Sequence, residues 1–372
     1  MDSCYHNSNV DCTLDSDICF VLWYEAIIFE MDPFTQGIVG TTVAQSVSKK
    51  NTVIVASIIG LLAGLAPDID IFIKSDTDPL LFLEYHRHFT HSLIFIPVGA
   101  LICATVFFYS FSKRFNLSFR ETYLFSLLGY ATHGIIDSFT TYGTLLFWPF
   151  TDARIAWNTI SVIDPLFTIP IFVLVLIGVL YRNKRFSIYA IIWILIYQIG
   201  AYSQKLRAED IIYDYAQNIG HEIESIEAKP SFGNIIVWKV IYSTADKYYI
   251  NAIRLSLDYK IYPGESIEKL DISKSFPWLN MNSQQAKDIE KFRWFSNGYL
   301  GVAKNNNNII YDVRFSTIPN QAEGLWGIKL DKKKNDFEHI EYITNRKRDM
   351  DRFNILIDMI IGTHENQKIH QN

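Results

Sequence analysis

Between residues 53 and 202 the chain is dominated by apolar runs, and nothing else in the sequence restricts its fold as strongly. Five runs, at 53–66, 93–111, 123–136, 163–181 and 188–202, read as membrane-spanning helices. In a bilayer core each backbone N–H and C=O must find its partner inside the segment, so an apolar run that crosses is helical. A crossing needs ~20 residues. The 93–111 run has that length, whereas 53–66 is short and needs tilt or flanking residues to complete it. Gly60 and Gly64 form a small-xxx-small pair suited to close helix packing. Asp164-Pro165 supplies an N-cap and a first-turn proline to the fourth run. Thr90 or Ser92 is the expected cap of the 93–111 helix. The 123–136 run also fits a re-entrant segment.

Basic residues mark alternate ends of these runs: Lys49 and Lys50, then Lys113, Arg114 and Arg120, then Arg182, Lys184 and Arg185. By the positive-inside rule those ends are cytoplasmic. The opposite ends hold Asp68, Asp70, the 86–91 stretch, His133, Asp137 and Asp164, which therefore gather on the extracytoplasmic face. The last run starts inside, so whatever follows it lies outside.

From 204 onward the composition turns mixed and polar, and the segments shorten. A helix to about 227 is followed by alternating segments at 235–242 and 248–257, which read as a β-hairpin. A second hairpin is expected at 299–303 and 309–315 around an Asn-rich turn, with a further strand at 325–330. Helices are expected at 283–295 and 349–361. Trp238, Trp294 and Trp326 read as packing residues. The expected fold is a membrane α-helical bundle of about five transmembrane helices followed by a small α+β extracytoplasmic domain. Its divisions are 1–30, 31–203 and 204–372.

Residues 1–30 do not look like a signal peptide: the start is acidic, and Glu25 interrupts the apolar patch. Met31 would make a natural start, so 1–30 reads as an extension upstream of the functional chain, against the competing reading of a genuine short tail. Net charge is −5 with no basic stripe, which argues against nucleic-acid binding. The four cysteines form no Cys-x-x-Cys pair, and Cys103 sits in an apolar run as a small hydrophobe.

Metal-ligand residue types recur at the ends of three runs. His133 and Asp137, four apart, share one face of a helix. Burying both in a bilayer segment is costly unless they meet a partner, a cavity or an ion. Asp68 and Asp70 follow Pro67, and His86 and His91 lie five apart just before the 93–111 run. A common meeting point of these six would suit Zn²⁺ first, or Mn²⁺ or Fe²⁺, with one ion or two. Plainer readings stand beside this: a packed His–Asp pair for 133 and 137, and loop carboxylates for 68 and 70. Arg87 would be a fixed cation for phosphoryl or carboxylate oxygens, or else an interface arginine. His88 reads as pointing elsewhere. Glu84 is a candidate general base or an ordinary interface carboxylate.

In these residues the chain resembles the bacterial inner-membrane metal-dependent hydrolases, a family that includes a LexA-regulated membrane protein. The matching stretches are Met31-Asp32-Pro33-Phe34-Thr35-Gln36-Gly37, Ala66-Pro67-Asp68-Ile69-Asp70, His86-Arg87-His88-Phe89-Thr90-His91-Ser92 and Thr132-His133-Gly134-Ile135-Ile136-Asp137-Ser138 with its continuation to Thr144. Phe147-Trp148-Pro149-Phe150, Ile163-Asp164-Pro165-Leu166 and the hairpin around Val237-Trp238-Lys239-Val240 are similar as well, so that the likeness covers roughly 31–330. His88 departs from it, since small residues are usual there. The resemblance implies a multi-pass inner-membrane protein with metal-dependent hydrolase activity. It implies Asp68, Asp70, His86, His91, His133 and Asp137 as metal or catalytic residues. Taken with the reading of Arg87 as a fixed cation, the residues expected in the catalytic role are Arg87, Asp70 and His86. A looser likeness to zinc-dependent phospholipase C-like enzymes hints at phosphodiesters. The expected function is hydrolysis of an ester or phosphodiester of a lipid or lipid-linked substrate at the outer face of the bilayer. The alternative is a non-enzymatic metal-binding carrier or assembly factor.

Overall fold

The structure is a computed structural model that describes residues 32–345 and 350–364. The 1–30 reading falls outside the described residues.

The first helix, α1 (Pro33–Ser46), is capped by Asp32, whose carboxylate accepts the Phe34 N–H at 3.1 Å. It is buried along most of its length from Thr35 to Gln45. The second, α2 (Val53–Leu65), leaves the α-helix just before Pro67 but continues as a 3-10 turn, Ala66–Phe72. Together they make an apolar stretch of 20 residues, and this turn completes the short 53–66 run. There follow α3 (Leu81–Tyr85), two single 3-10 turns, Phe89–His91 and Leu93–Phe95, and α4 (Ile96–Ser110). A Ser118/Glu121 capping box starts α5 (Phe119–Ser138). Asp164 caps α6 (Pro165–Leu180) by accepting the Phe167 N–H, as expected.

Among the described residues, three helices are long and apolar enough to cross a membrane: Val53–Phe72, Leu93–Ser110 and Arg185–Asn218. The expected count was about five. Pro165–Leu180 is apolar but has only 16 residues. Helix α5 has 20 residues but carries Arg120, Glu121, His133 and Asp137, which dilute its apolar character. It packs on α1, α2 and α4. Glycines allow that packing: a Cβ at Gly129 of α5 would lie 2.7 Å from the Gly60 carbonyl oxygen of α2. The caps proposed for the 93–111 helix are not used. Thr90 donates instead to Asp70 and Ser92 to the Phe89 carbonyl, and α4 begins at Ile96 with Pro97 in its first turn.

Helix α7 (Arg185–Asn218) has 34 residues, ~51 Å at 1.5 Å per residue, against ~30 Å of hydrocarbon. One helix therefore runs through position 204 and joins the two halves. Ala208, Ile212 and Ala216 near its distal end pack against Trp238, Val240 and Tyr242 of the first sheet.

That sheet comprises β1 (Ser225–Pro230), β2 (Val237–Ser243), β3 (Lys247–Leu255), β4 (Tyr259–Tyr262) and β5 (Ser266–Glu268), all antiparallel. Its order is β1-β2-β3-β4, with β5 also on β3. After α8 (Ile272–Ser275) and α9 (Gln284–Phe295) comes a second sheet of β6 (Leu300–Val302), β7 (Ile309–Asp312), β8 (Trp326–Lys329) and β9 (Glu341–Thr344). The last described helix is α10 (Met350–Ile361). Both expected hairpins are present, as are the helix expected at 283–295 and, over 350–361, the last expected helix. The helix expected to about 227 instead ends at Asn218, and Glu227 lies in β1, paired with β2. Trp238 and Trp326 are buried in the sheet cores.

Candidate metal centre

The three helix-end segments converge beneath the sheet domain. The chain turns sharply at Arg87, whose φ of 62° lies in the left-handed region that a non-glycine residue enters at a cost of ~1–2 kcal/mol. The turn is held from both sides. The Arg87 N–H donates to Asp70 Oδ2 at 3.1 Å, and its carbonyl accepts the Leu145 N–H at 3.0 Å. Gly134 on α5 faces the His91 carbonyl so closely that any Cβ there would collide with it. This close approach brings His91 against His133.

His133 Nδ1 lies 2.6 Å from the Gly64 carbonyl oxygen. A carbonyl only accepts, so Nδ1 carries the proton and Nε2 presents a lone pair. That carbonyl lies at the last turn of α2, where the helix passes into its 3-10 turn. His91 Nδ1 lies 3.2 Å from Asp70 Oδ2, which also accepts the Thr90 hydroxyl at 2.8 Å. His91 Nε2 is thereby left as a second lone pair. The two Nε2 atoms are 2.9 Å apart. Asp68 Oδ1 lies 3.2 Å from His91 Nε2 and 3.0 Å from His133 Nε2. Asp137 Oδ2 lies 3.2 and 3.6 Å from the same two atoms.

Four lone-pair atoms thus face one point with no proton of their own between them. Ligands 2.0–2.2 Å from a zinc ion in a tetrahedron are separated by about 3.3–3.6 Å, and the five separations above span 2.9–3.6 Å. The donor set fits a divalent cation. Asp137 Oδ2, one of the four, is buried and accepts no hydrogen bond, its 3.2 Å approach to Arg87 Nε being an ion pair without hydrogen-bond geometry; a cation would satisfy it. Without one, the cluster must hold a proton. Burial opposes a charge on His91, yet Asp70, Asp137 and Asp68 outweigh it and raise the imidazole well above its ordinary range.

A second group, Asp68, Asp70 and His86, adjoins the first and shares Asp68 with it. His86 Nδ1 lies 3.0 Å from Asp70 Oδ1, while its Nε2 is buried without a partner. Burial pushes the His86 imidazole below its ordinary range, against the pull of Asp70. Asp70 contacts His86, His91, Thr90 and the Arg87 N–H, so it orients the histidines of both groups.

Arg87 is 1% exposed. Its Nε lies 3.2 Å from Asp137 Oδ2, its Nη1 donates to Thr140 Oγ1 at 2.9 Å, and its guanidinium stacks over Tyr142 at 4.7 Å. Arg87 is therefore a buried cation beside the cluster, not an arginine at the bilayer interface. His88 points away, lying against Tyr85 and Trp148 and joining neither group. Glu84 faces Lys291 of α9 at 3.2 Å and does not join the clusters.

The sequence reading missed Gln36. Its amide donates to Asp137 Oδ1 at 2.9 Å and stands 3.2 Å from His133 Nε2. A glutamine one turn inside the start of a buried helix was the available signal. It also missed Arg314, which reaches from the end of β7 to the Thr141 and Tyr142 carbonyls at 3.5 Å while pairing with Asp312 at 2.7 Å.

Fold and site together define a membrane-helix protein with a buried His/Asp cluster at its helix ends that could hold a metal ion, packed against an antiparallel-sheet domain. Residues 31–208 match the YdjM inner membrane protein family. The chain is 26% identical over 197 residues to the uncharacterized protein YfhP of Bacillus subtilis, covering 52% of this chain and 58% of that one. It is 30% identical over 108 residues to the inner membrane protein YbcI of Escherichia coli, covering 28% and 60%. The chain thus spans about three fifths of the length of each of these relatives. No solved structure matches it. The family match and the apolar helices point to an inner-membrane protein.

Proposed function

We propose that the chain is a membrane-bound, metal-dependent hydrolase acting on an ester or phosphodiester of a membrane-associated substrate at the extracytoplasmic face. The observation that carries this is the convergence of His91, His133, Asp68 and Asp137 beside a buried Arg87, with Asp68 shared by an adjoining group. Zinc fits the donors best, with manganese or iron as alternatives. A divalent cation in such a set supplies Lewis acidity and a nucleophilic water at neutral pH.

The chain's own groups do the rest. Asp70 and the Gly64 carbonyl fix both imidazole tautomers, so the lone pairs are set before any cation arrives. Arg87, held by Asp137, Thr140 and Tyr142, orients an anionic substrate and stabilises charge that develops on its oxygens. His86 Nε2, buried and unpaired, is the group placed to accept or return a proton. The sheet domain packs against this end of the bundle through Arg314, at the Thr141 and Tyr142 carbonyls, and Lys291, paired with Glu84.

The basic residues support the outward orientation. Lys49 lies 3.6 Å from Glu121, so the turn after α1 and the start of α5 are neighbours at the end opposite the cluster. Positive charge gathered there marks the cytoplasmic side.

One observation favours a second reading, a non-catalytic metal-binding role: four protein ligands close a tetrahedron, as structural zinc sites do. Purified protein assayed on ester and phosphodiester panels decides between them. Turnover that chelation abolishes, and that His133→Ala lacks, supports the hydrolase. Bound metal with no turnover across the panels supports the second reading.

A further inference from the structure

A cavity of about 110 Å³ lies between the end of α5 and the sheet domain, separate from the two ligand groups but touching them through Arg87. This is several times the ~10–15 Å³ that one water needs. Four cationic side chains line it: Arg87, Lys229, Lys239 and Arg314. All four residues are at least 96% buried. No aspartate or glutamate is among the lining residues.

Three of these cations have a carboxylate behind them, outside the cavity. Arg87 has Asp137, Lys229 has Glu227, and Arg314 has Asp312. Lys239 has only neutral partners: its ammonium donates to Ser316 Oγ at 2.7 Å and to the Gln321 carbonyl at 3.1 Å. Among the described residues no carboxylate lies within ion-pair distance of it. Lys229 and Lys239 are moreover direct cross-strand partners on β1 and β2. Like charges opposite each other destabilise a sheet, and a buried cation without a counter-charge is more costly still. A fold that accepts both at one cavity leaves an unmet demand for negative charge there. If Asp137 is engaged by a cation in the cluster, Arg87 adds to that demand.

We infer that this cavity is an anion subsite for a phosphate group, set by Lys239, Lys229, Arg314 and Arg87 between the membrane bundle and the sheet domain. It rests on the hydrolytic reading in one respect: the anion it holds is the charged head of the substrate whose scissile bond reaches the cluster. Arg87 belongs to both sites and sets their separation. Phe232, Phe315 and Trp326 give the cavity an apolar side, which suits an organic phosphate over the bare ion. The phosphate could be a lipid headgroup or a soluble phosphate ester, and the two differ in what is attached to it.

The test uses the full chain in detergent, stripped of metal by chelation. Inorganic phosphate and dihexanoylphosphatidic acid are each titrated at constant ionic strength, with dihexanoylphosphatidylcholine, whose phosphate is masked by a cation, as control. Saturable binding of phosphate or phosphatidate is expected, weakened by about tenfold or more in Lys239→Met and in Lys229→Met as charge-assisted bonds are lost. Tighter binding of phosphatidate than of inorganic phosphate identifies a lipid headgroup, and the reverse identifies a soluble phosphate. Absence of saturable binding to the wild type, or affinity unchanged in both variants, overturns the inference. If Lys239→Met does not yield folded protein by circular dichroism, Lys229→Met and Lys239→Gln decide it by the same criterion. Because the titration is run without metal, failure of the hydrolytic reading would show in metal content and turnover and leave this result intact.

Discussion

His91 Nε2 and His133 Nε2 stand 2.9 Å apart, and the other nitrogen of each ring is tied to an acceptor fixed in the bundle. Two imidazole lone pairs at that distance repel unless a proton or a cation lies between them. The protein is expected to purify with a divalent metal. His133→Ala and His91→Ala should reduce it to background by elemental analysis, whereas His88→Ala, whose ring faces Tyr85 and Trp148, should retain it. Unchanged metal in both of the first two variants would rule out the centre. Because His91 is otherwise held protonated by its carboxylates, metal must displace a proton. Affinity should therefore rise with pH and fall on acidification.

Asp70 orients both His86 and His91, and it accepts the Thr90 hydroxyl and the Arg87 N–H. Asp70→Asn keeps the size of the side chain but weakens the hold on both rings. Metal affinity should fall by about 10–100-fold without being abolished, the usual effect of losing a partner that orients a ligand. A metal titration reads this. A loss as complete as that of His133→Ala would instead make Asp70 a direct ligand, as the Asp68–Asp70–His86 group allows.

Gly134 is where α5 meets the His91 backbone. Gly134→Ala would gain helix propensity, about 1 kcal/mol, at an exposed site. Here the new methyl strikes a carbonyl oxygen, and overpacking of this kind costs about 1–3 kcal/mol. The expected outcome is a lower Tm together with weakened metal binding, since the shift separates His91 from His133. A variant as stable as the wild type with full metal content would show that the segment can move freely.

Burial lowers the Lys239 ammonium to about 7, with Asp312 pulling it up and Lys229 pushing it further down. Unfolded, it titrates near 10.4. Between those values the unfolded chain binds the extra proton, so folding stability rises with pH across this window: it is lost progressively as pH falls from about 10.4 to about 7 and changes no further below that. The contribution to the slope is at most about 1.4 kcal/mol per pH unit. Lys239→Met should flatten the dependence of Tm on pH above 7 and raise stability below it. An identical pH profile for the two proteins would show that Lys239 is not desolvated.

Much of the architecture could be read locally. The apolar runs marked helices because only helices satisfy their own backbone in lipid. Asp164-Pro165, the two hairpins and the 283–295 helix follow from caps, turns and alternation over a few residues, and the structure has them where these signals placed them. The count of crossing helices was less legible. Helix α5 reads as a span by its apolar core, but its polar ends and its packing on α1, α2 and α4 belong to a central helix of the bundle. The Thr90 and Ser92 caps failed for a related reason. Asp70, twenty positions away from Thr90 in the chain, outcompetes the local backbone for its hydroxyl.

By itself the sequence determined the helices, the hairpins and the residue types able to hold a cation, since each depends on composition and spacing within one segment. Only the tertiary structure decided which nitrogen of each histidine is free, which carboxylate orients and which converges, and that Gln36 joins the set. It alone brought Arg87, Lys229, Lys239 and Arg314 to one cavity. These are relations between atoms far apart in the chain, fixed by where helices cross and strands pair, and no local periodicity encodes them.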